Sequence, residues 1–228
     1  MTKTLFGWAI ISMIGVASTA ACSVPSPRVP LDPAANFTAH LESRGIVVDR
    51  MAHGERATLV ANGGFFSHKP PFVVEEGDKD VAAVWRDGSE MIVRAAATNG
   101  EGAPIGDVKS DRRDGAIRLT FDADDHGVYR TSAFHRASPW RTPALLGQPA
   151  ENILDLPGVY VAEVRNVEGA PVGWMRVEIS RYGWPTRRLY DGSLPASING
   201  PLAVAAVKRL DSEINWVEQH ATDPYIGN

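Results

Sequence analysis

Between about residue 57 and residue 182 the chain is cut into short apolar or alternating runs separated by turn-forming clusters. Val81–Trp85 and Met91–Ala97 flank Arg86-Asp87-Gly88-Ser89, and Asp-Gly supplies the positive φ of a tight hairpin turn. Ala116–Phe121, Val128–Thr131, Val159–Val164 and Val172–Ile179 are further runs of the same kind. The two-residue period predicts strands with one buried face, and the short spacing favours an antiparallel sandwich or barrel-like sheet over βαβ units.

The ends of this region change period. From Pro201 to about Ala221, Ala203, Val207, Leu210, Ile214 and Val217 fall on one helical face, with Lys208, Arg209, Asp211, Glu213 and Glu218 mostly elsewhere. Asn199-Gly200-Pro201 starts this helix and Asp223-Pro224 stops it. Residues 33–44 also read as helix: Asp32 is a good N-cap, Pro33 suits the first position, Phe37 and Leu41 are four apart, and Gly45 offers a left-handed stop. Ile46–Val48 reads as a following strand. The expected class is α+β: one antiparallel β-rich domain over 32–228, with a short N-terminal helix and a C-terminal amphipathic helix packed on it.

One pattern recurs. Asn99-Gly-Glu-Gly-Ala-Pro-Ile-Gly106 returns as Asn166-Val-Glu-Gly-Ala-Pro-Val-Gly173, each copy following an apolar run. Two similar hairpin loops account for it, Gly serving a positive φ and Pro a position without a ladder donor.

Ahead of the domain, Lys3 and an apolar run from Leu5 to Val16 have the form of a secretory signal peptide, too short to span a bilayer. Thr19-Ala20-Ala21-Cys22 then resembles the lipobox of bacterial lipoproteins, with Thr19 where that class prefers Leu. The resemblance implies cleavage after residue 21, a diacylglycerol thioether on Cys22 and an acylated N-terminus; Val24 two places on implies the outer membrane, with the domain facing the periplasm. Residues 22–31, rich in proline, read as an extended tether. Cys22 is the sole cysteine of 228 residues, which rules out an intrachain disulfide and thiolate zinc sites. Residues 1–21 hold one Lys and no acid, so their removal shifts the formal charge from −4 to −5, a balance unlike that of nucleic-acid readers.

Candidate chemistry is sparse. The six histidines form no helical ligand pair, so no metal or cofactor is expected. Asp122-Ala-Asp124-Asp125-His126-Gly127 lacks the Glu a calcium loop needs at its twelfth position, occupied by Ala133, and reads as an acidic turn. No nucleophile elbow is present. Asn62-Gly63-Gly64-Phe65-Phe66 resembles the signature of the phosphodiester glycosidase domain, which would imply hydrolysis of a sugar phosphodiester with Asn62 at the site; the glycine-rich segment of that family is missing.

The candidate binding surface lies on the strand over Val172–Tyr182. Alternation turns Met175, Val177 and Ile179 inward and leaves Trp174, Arg176, Glu178 and Tyr182 outside, with Trp184, Arg187, Arg188 and Tyr190 following directly. Aromatic residues and Arg on a non-core face are what protein interfaces enrich. The expected function is therefore a non-catalytic lipoprotein that binds a protein in the periplasm, such as an immunity or inhibitor protein against an envelope-targeting toxin, or an accessory of an envelope assembly. A glycan- or peptidoglycan-binding module and a phosphodiester hydrolase are the alternatives.

Overall fold

The computed structural model describes residues 34–42, 45–52, 55–62, 72–97, 102–113, 116–137, 158–180, 187–198 and 200–220. The expected signal peptide, the expected lipidation site Cys22 and the expected tether lie outside these residues. The strands are β1 (Ala34–Glu42), β2 (Gly45–Ala52), β3 (Glu55–Asn62), β4 (Phe72–Glu76), β5 (Lys79–Asp87), β6 (Glu90–Ala95) and β7 (Pro104–Asp111). They continue with β8 (Arg118–Asp122), β9 (Val128–Thr131), β10 (His135–Arg136), β11 (Gly158–Arg165), β12 (Pro171–Ser180) and β13 (Arg187–Pro195), and the chain then forms helix α1 (Gly200–His220).

Each strand pairs antiparallel with its neighbours, mostly in chain order, and β13 pairs with β1. The ring closes where β9 pairs with β11, Thr131 opposite Val164 and Arg130 opposite Arg165. Two-residue β10 extends the same edge of β11, with His135 opposite Val161. The result is a closed twelve-strand antiparallel barrel, the barrel form of the sheet that the alternation predicts. Closure removes the open edges that would otherwise recruit foreign strands.

The wall is apolar inside. Ala39, Val48, Val74, Val93, Phe121, Val164 and Val177 are fully buried from seven different strands. Outside, Glu163, Arg176, Asp191, Asp107 and Lys109 sit at least partly exposed along the strands. This is the reverse of a membrane barrel, whose lipid face is apolar and whose lumen is polar.

The lumen is filled by α1. Leu202 through Val207, then Arg209, Leu210, Asp211, Glu213 and Ile214, are all buried, so every face of the helix is covered. The predicted stripe of Ala203, Val207, Leu210, Ile214 and Val217 is buried as expected, but the helix lies within the sheet rather than on it. Barrel diameter grows with strand number, and eight strands leave room only for side chains. A helix ~10 Å across needs the wider ring. Alanines trim the fit on both surfaces, with Ala203, Ala205 and Ala206 on the helix and Ala39, Ala61, Ala82 and Ala162 on the wall.

The helix also gives the barrel two distinct ends. β1 begins, β13 ends and α1 starts at the near end, where Arg50 Nη2 donates to the Ile198 carbonyl at 3.0 Å and Tyr129 Oη lies 2.6 Å from Ser197 Oγ. The last turns of α1 reach the far end, against the β5–β6 turn and the start of β13.

The expected N-terminal helix is a strand. Ala34–Glu42 is β1, paired with β13 on one side and β2 on the other, with Phe37 and Ala39 inward. A spacing of four fits both the helical and the strand period, so Phe37 and Leu41 do not separate them. Ring closure between β13 and β2 needs a strand here, and that tertiary pairing overrides the capping residues.

The recurring octapeptide has a shared structural job. Val93 faces Gly106 while Arg94 faces Pro104, leaving Ile105 as an extra residue; Val164 faces Gly173 while Arg165 faces Pro171, leaving Val172 extra. Both copies are hairpins whose second strand opens with a bulge at the same position. Both extra residues pack on the core. A bulge sharpens strand twist and helps curl a sheet into a barrel. Each glycine also meets the next strand: a Cβ on Gly106 would lie 2.1 Å from the Asp122 carbonyl oxygen, and one on Gly173 would lie 2.4 Å from that of Ser193. Gly106 has φ +145° as well. Gly106→Ala and Gly173→Ala are each expected to destabilise by about 2–4 kcal/mol, read as a fall in denaturation midpoint, against less than ~1 kcal/mol for Gly→Ala at an unhindered position.

Candidate functional site

Alternation along β12 falls where the sequence predicts: Met175, Val177 and Ile179 are buried inside. The outward set on β12 pairs with an outward set on β13. Trp174 faces Ser193, Arg176 faces Asp191, Glu178 faces Leu189 and Ser180 faces Arg187. Trp174 is half-buried, Glu178 and Arg187 are exposed, and Leu189 is 44% exposed despite its apolar side chain. Arg176 Nε bonds Asp191 Oδ1 at 2.6 Å, which fixes a charged pair in the middle of the patch. This face thus carries an aromatic, an aliphatic and both charge signs within two paired strands. Tyr182 and Trp184 lie outside the described residues, so they are not placed on it.

Arg188 and Tyr190, expected to follow on the same surface, point the other way. They occupy the inward positions of β13 and are buried in the lumen. Arg188 Nη1 bonds Asp211 Oδ1 at 2.6 Å, and its Nη2 bonds Asn215 Oδ1 at 2.8 Å and Glu218 Oε2 at 2.5 Å. Tyr190 Oη donates to the same Asp211 oxygen at 2.7 Å. Burial works against the Arg188 charge, but Asp211 and Glu218 outweigh it and hold the guanidinium above its ordinary value. Burial, then the Asp211 charge, pushes the Tyr190 hydroxyl well up. These residues key the helix to β13 and are not available to a partner. A signal was present in the sequence: the positions that alternate with Arg188 and Tyr190 include Gly192 and Leu194, a small or apolar set suited to a lumen.

A second ionic cluster keys α1 to β7, on the other side of the helix. Arg209 Nε donates to Ser110 Oγ at 2.7 Å, Ser110 Oγ donates to Glu213 Oε1 at 2.6 Å, and Arg209 also pairs with Glu213. Arg112 Nε reaches Glu213 Oε2 at 2.8 Å, and its guanidinium lies 3.6 Å from the centre of the Trp216 ring.

On the outer wall, a groove of about 270 Å³ crosses β6–β8, lined by Glu90, Ile92, Arg94, Asp107, Asp122 and Asp124 among others. Asp107 and Asp122 are register partners. Desolvation raises the Asp107 pKa, Lys109 at 3.5 Å opposes this, and the Glu90 and Asp122 charges add to it. An acid whose folded pKa exceeds its unfolded one adds nothing to pH-dependent stability below the unfolded value, and opposes folding as pH rises through the window between the two. Asp107→Asn is therefore expected to raise the melting temperature at pH 7, with the gain vanishing below the ordinary carboxylate range. Equal melting curves for the two proteins at pH 7 would contradict this.

Asp124–His126 forms a 3-10 turn between paired β8 and β9, consistent with an acidic turn. Among the described residues no three His, Cys, Asp or Glu side chains are grouped to hold a metal ion. Asn62 closes β3, and the rest of its Gly-Gly-Phe-Phe stretch lies outside the described residues.

No known protein family, no curated protein and no solved structure matches this chain.

Proposed function

We propose that the chain is an outer-membrane lipoprotein, anchored through Cys22 and facing the periplasm, whose barrel binds a protein partner on the outer face of β12 and β13. The observation that carries this reading is the filled lumen. Barrels that carry small ligands hold them inside, and here that space belongs to α1. Recognition then falls to the outer wall, the rims and the loops. On the wall, Trp174, Arg176, Glu178, Arg187 and Leu189 combine half-buried aromatic area, an exposed aliphatic side chain and pre-paired charges, the composition of a protein interface. Arg188 and Tyr190 serve this face indirectly, by holding β13 against the helix.

The lipobox resemblance and the proline-rich segment support the anchor. Cys22→Ala is expected to release the protein from the outer-membrane fraction into the soluble periplasm; retention in the membrane fraction would overturn the lipid tether. For the face itself, a photo-crosslinking side chain in place of Leu189 should trap a discrete protein adduct in living cells. The same side chain in place of exposed Val167, in the β11–β12 turn at the near end, should not. Retention of the barrel on purified peptidoglycan, abolished by Trp174→Ala, would replace protein binding with glycan binding.

A further inference from the structure

A second surface lies at the far end, roughly across the barrel from β12 and β13. β5 and β7 both finish there, and the last turn of α1 comes up beside them. Arg86 is the last but one residue of β5, while Arg112 and Arg113 directly follow β7. All three are exposed, Arg113 by 81% of its side chain. Trp216, 40% exposed on α1, completes the group.

We infer that this rim, built from Arg86, Arg112, Arg113 and Trp216, is a docking surface for an acidic segment of a protein. The Arg112 guanidinium is pre-placed: it is stacked on Trp216, and its Nε is held by Glu213, a carboxylate buried in the helix–wall contact. Stacking and one close ion pair remove rotamer entropy in advance, so a carboxylate met at the rim finds an ordered planar donor. The charge balance is positive. Arg86, Arg112, Arg113, Lys208 and Arg209 face Asp87, Asp111, Asp211 and Glu213, and Asp211 is already paired with Arg188. Burial lowers the pKa values of Lys208 and Arg209; Asp211 and Glu213 respectively oppose this, and the Arg86 charge adds a smaller push in the same direction as burial. An added carboxylate would relieve this repulsion.

Two competing occupants fit less well. A sugar ring would need the Trp216 face, which Arg112 covers. An anionic bilayer would have to approach the far end, but the chain enters β1 from the near end, at Ala34 beside Pro195. The inference rests on the protein-binding reading for the class of partner, and on different residues for the surface.

The test uses the full chain in detergent and a labelled deca-glutamate peptide as the probe, with polygalacturonate and phosphatidylglycerol vesicles as parallel arms. The probe should bind with an affinity that falls as salt rises, and R86S/R113S should weaken it about tenfold with an unchanged melting temperature. Leu189→Ser, on the other face, should leave probe binding unchanged, so failure here is separable from failure of the β12–β13 interface. Probe binding equal in R86S/R113S and the parent overturns the inference. So does rim-dependent binding that is tighter for the polysaccharide or the vesicles than for the peptide.

Discussion

Truncation of the chain after Ile198 should abolish the cooperative fold. The loss follows from what α1 contributes to the core. Leu202, Val204, Val207, Leu210, Ile214 and Val217 are each buried to 2% exposure or less. Full burial of such a side chain is worth about 1.5–3 kcal/mol, so the set is comparable to the whole ~5–15 kcal/mol stability of a domain. The wall residues that face the helix would lose their cover at the same time, and a twelve-strand ring is too wide for its own side chains to fill. The truncated chain is expected to show no sharp thermal transition, to bind a hydrophobic dye and to aggregate. A truncated chain that melts cooperatively as a monomer would mean the barrel stands without its helix.

Arg188→Ala is the second large effect. The Arg188 side chain is 2% exposed and serves Asp211, Asn215 and Glu218 at once. Removing it strands Asp211 in the lumen beside the Tyr190 hydroxyl. Breaking a buried pair from one side costs about 3–5 kcal/mol, which in a domain of this size lowers the melting temperature by roughly 10 °C. Arg188→Met combined with Asp211→Leu removes both charges and should recover much of that loss, because the penalty lies in the unpaired ion rather than in the missing bridge. If the double variant melts no higher than Arg188→Ala, the cost comes from packing of the guanidinium and not from the stranded carboxylate.

The two ionic clusters lie on different sides of α1, Arg188 reaching Asp211 from β13 and Ser110 with Arg112 reaching Glu213 from β7. The helix beyond them is an apolar rod from Leu202 to Val207 that could slide or turn against an apolar wall at little cost. Buried polar contacts at fixed positions oppose such slippage, since any shift leaves charges unpaired.

Much of the wall was legible in the sequence because one face of each strand had to be apolar. β9 spans Val128–Thr131 as the alternation predicts, and β5 and β6 form the expected hairpin, with its turn at Gly88-Ser89, one residue on from the Asp-Gly pair. Other elements carried weaker signals. β7 reads Pro-Ile-Gly-Asp-Val-Lys-Ser-Asp, where only Val108 is fully buried, because its bulge and its polar contacts with α1 replace the usual alternation. β4 is short, and β13 opens with two arginines and contains Gly192, so neither resembled a strand in isolation. The position of α1 was hidden for a different reason. Asp211 and Glu213 looked like a solvent face, and only partners from distant strands, Arg188, Ser110 and Arg112, let them be buried. For the candidate site, local alternation placed Trp174, Arg176 and Glu178 outside but could not carry the pattern across to β13, where Arg188 and Tyr190 begin on the opposite phase.

The central claim is that α1 is the core of the barrel and that binding is left to the outside. Native-state hydrogen exchange tests it most directly. The backbone amides from Leu202 to Ile214 should exchange only through global unfolding, at the same free energy as the slowest amides of β1, β12 and β13. Exchange of the helix at a markedly lower free energy than the wall, with the strand amides still protected, would show that the helix leaves an intact barrel and would contradict the account.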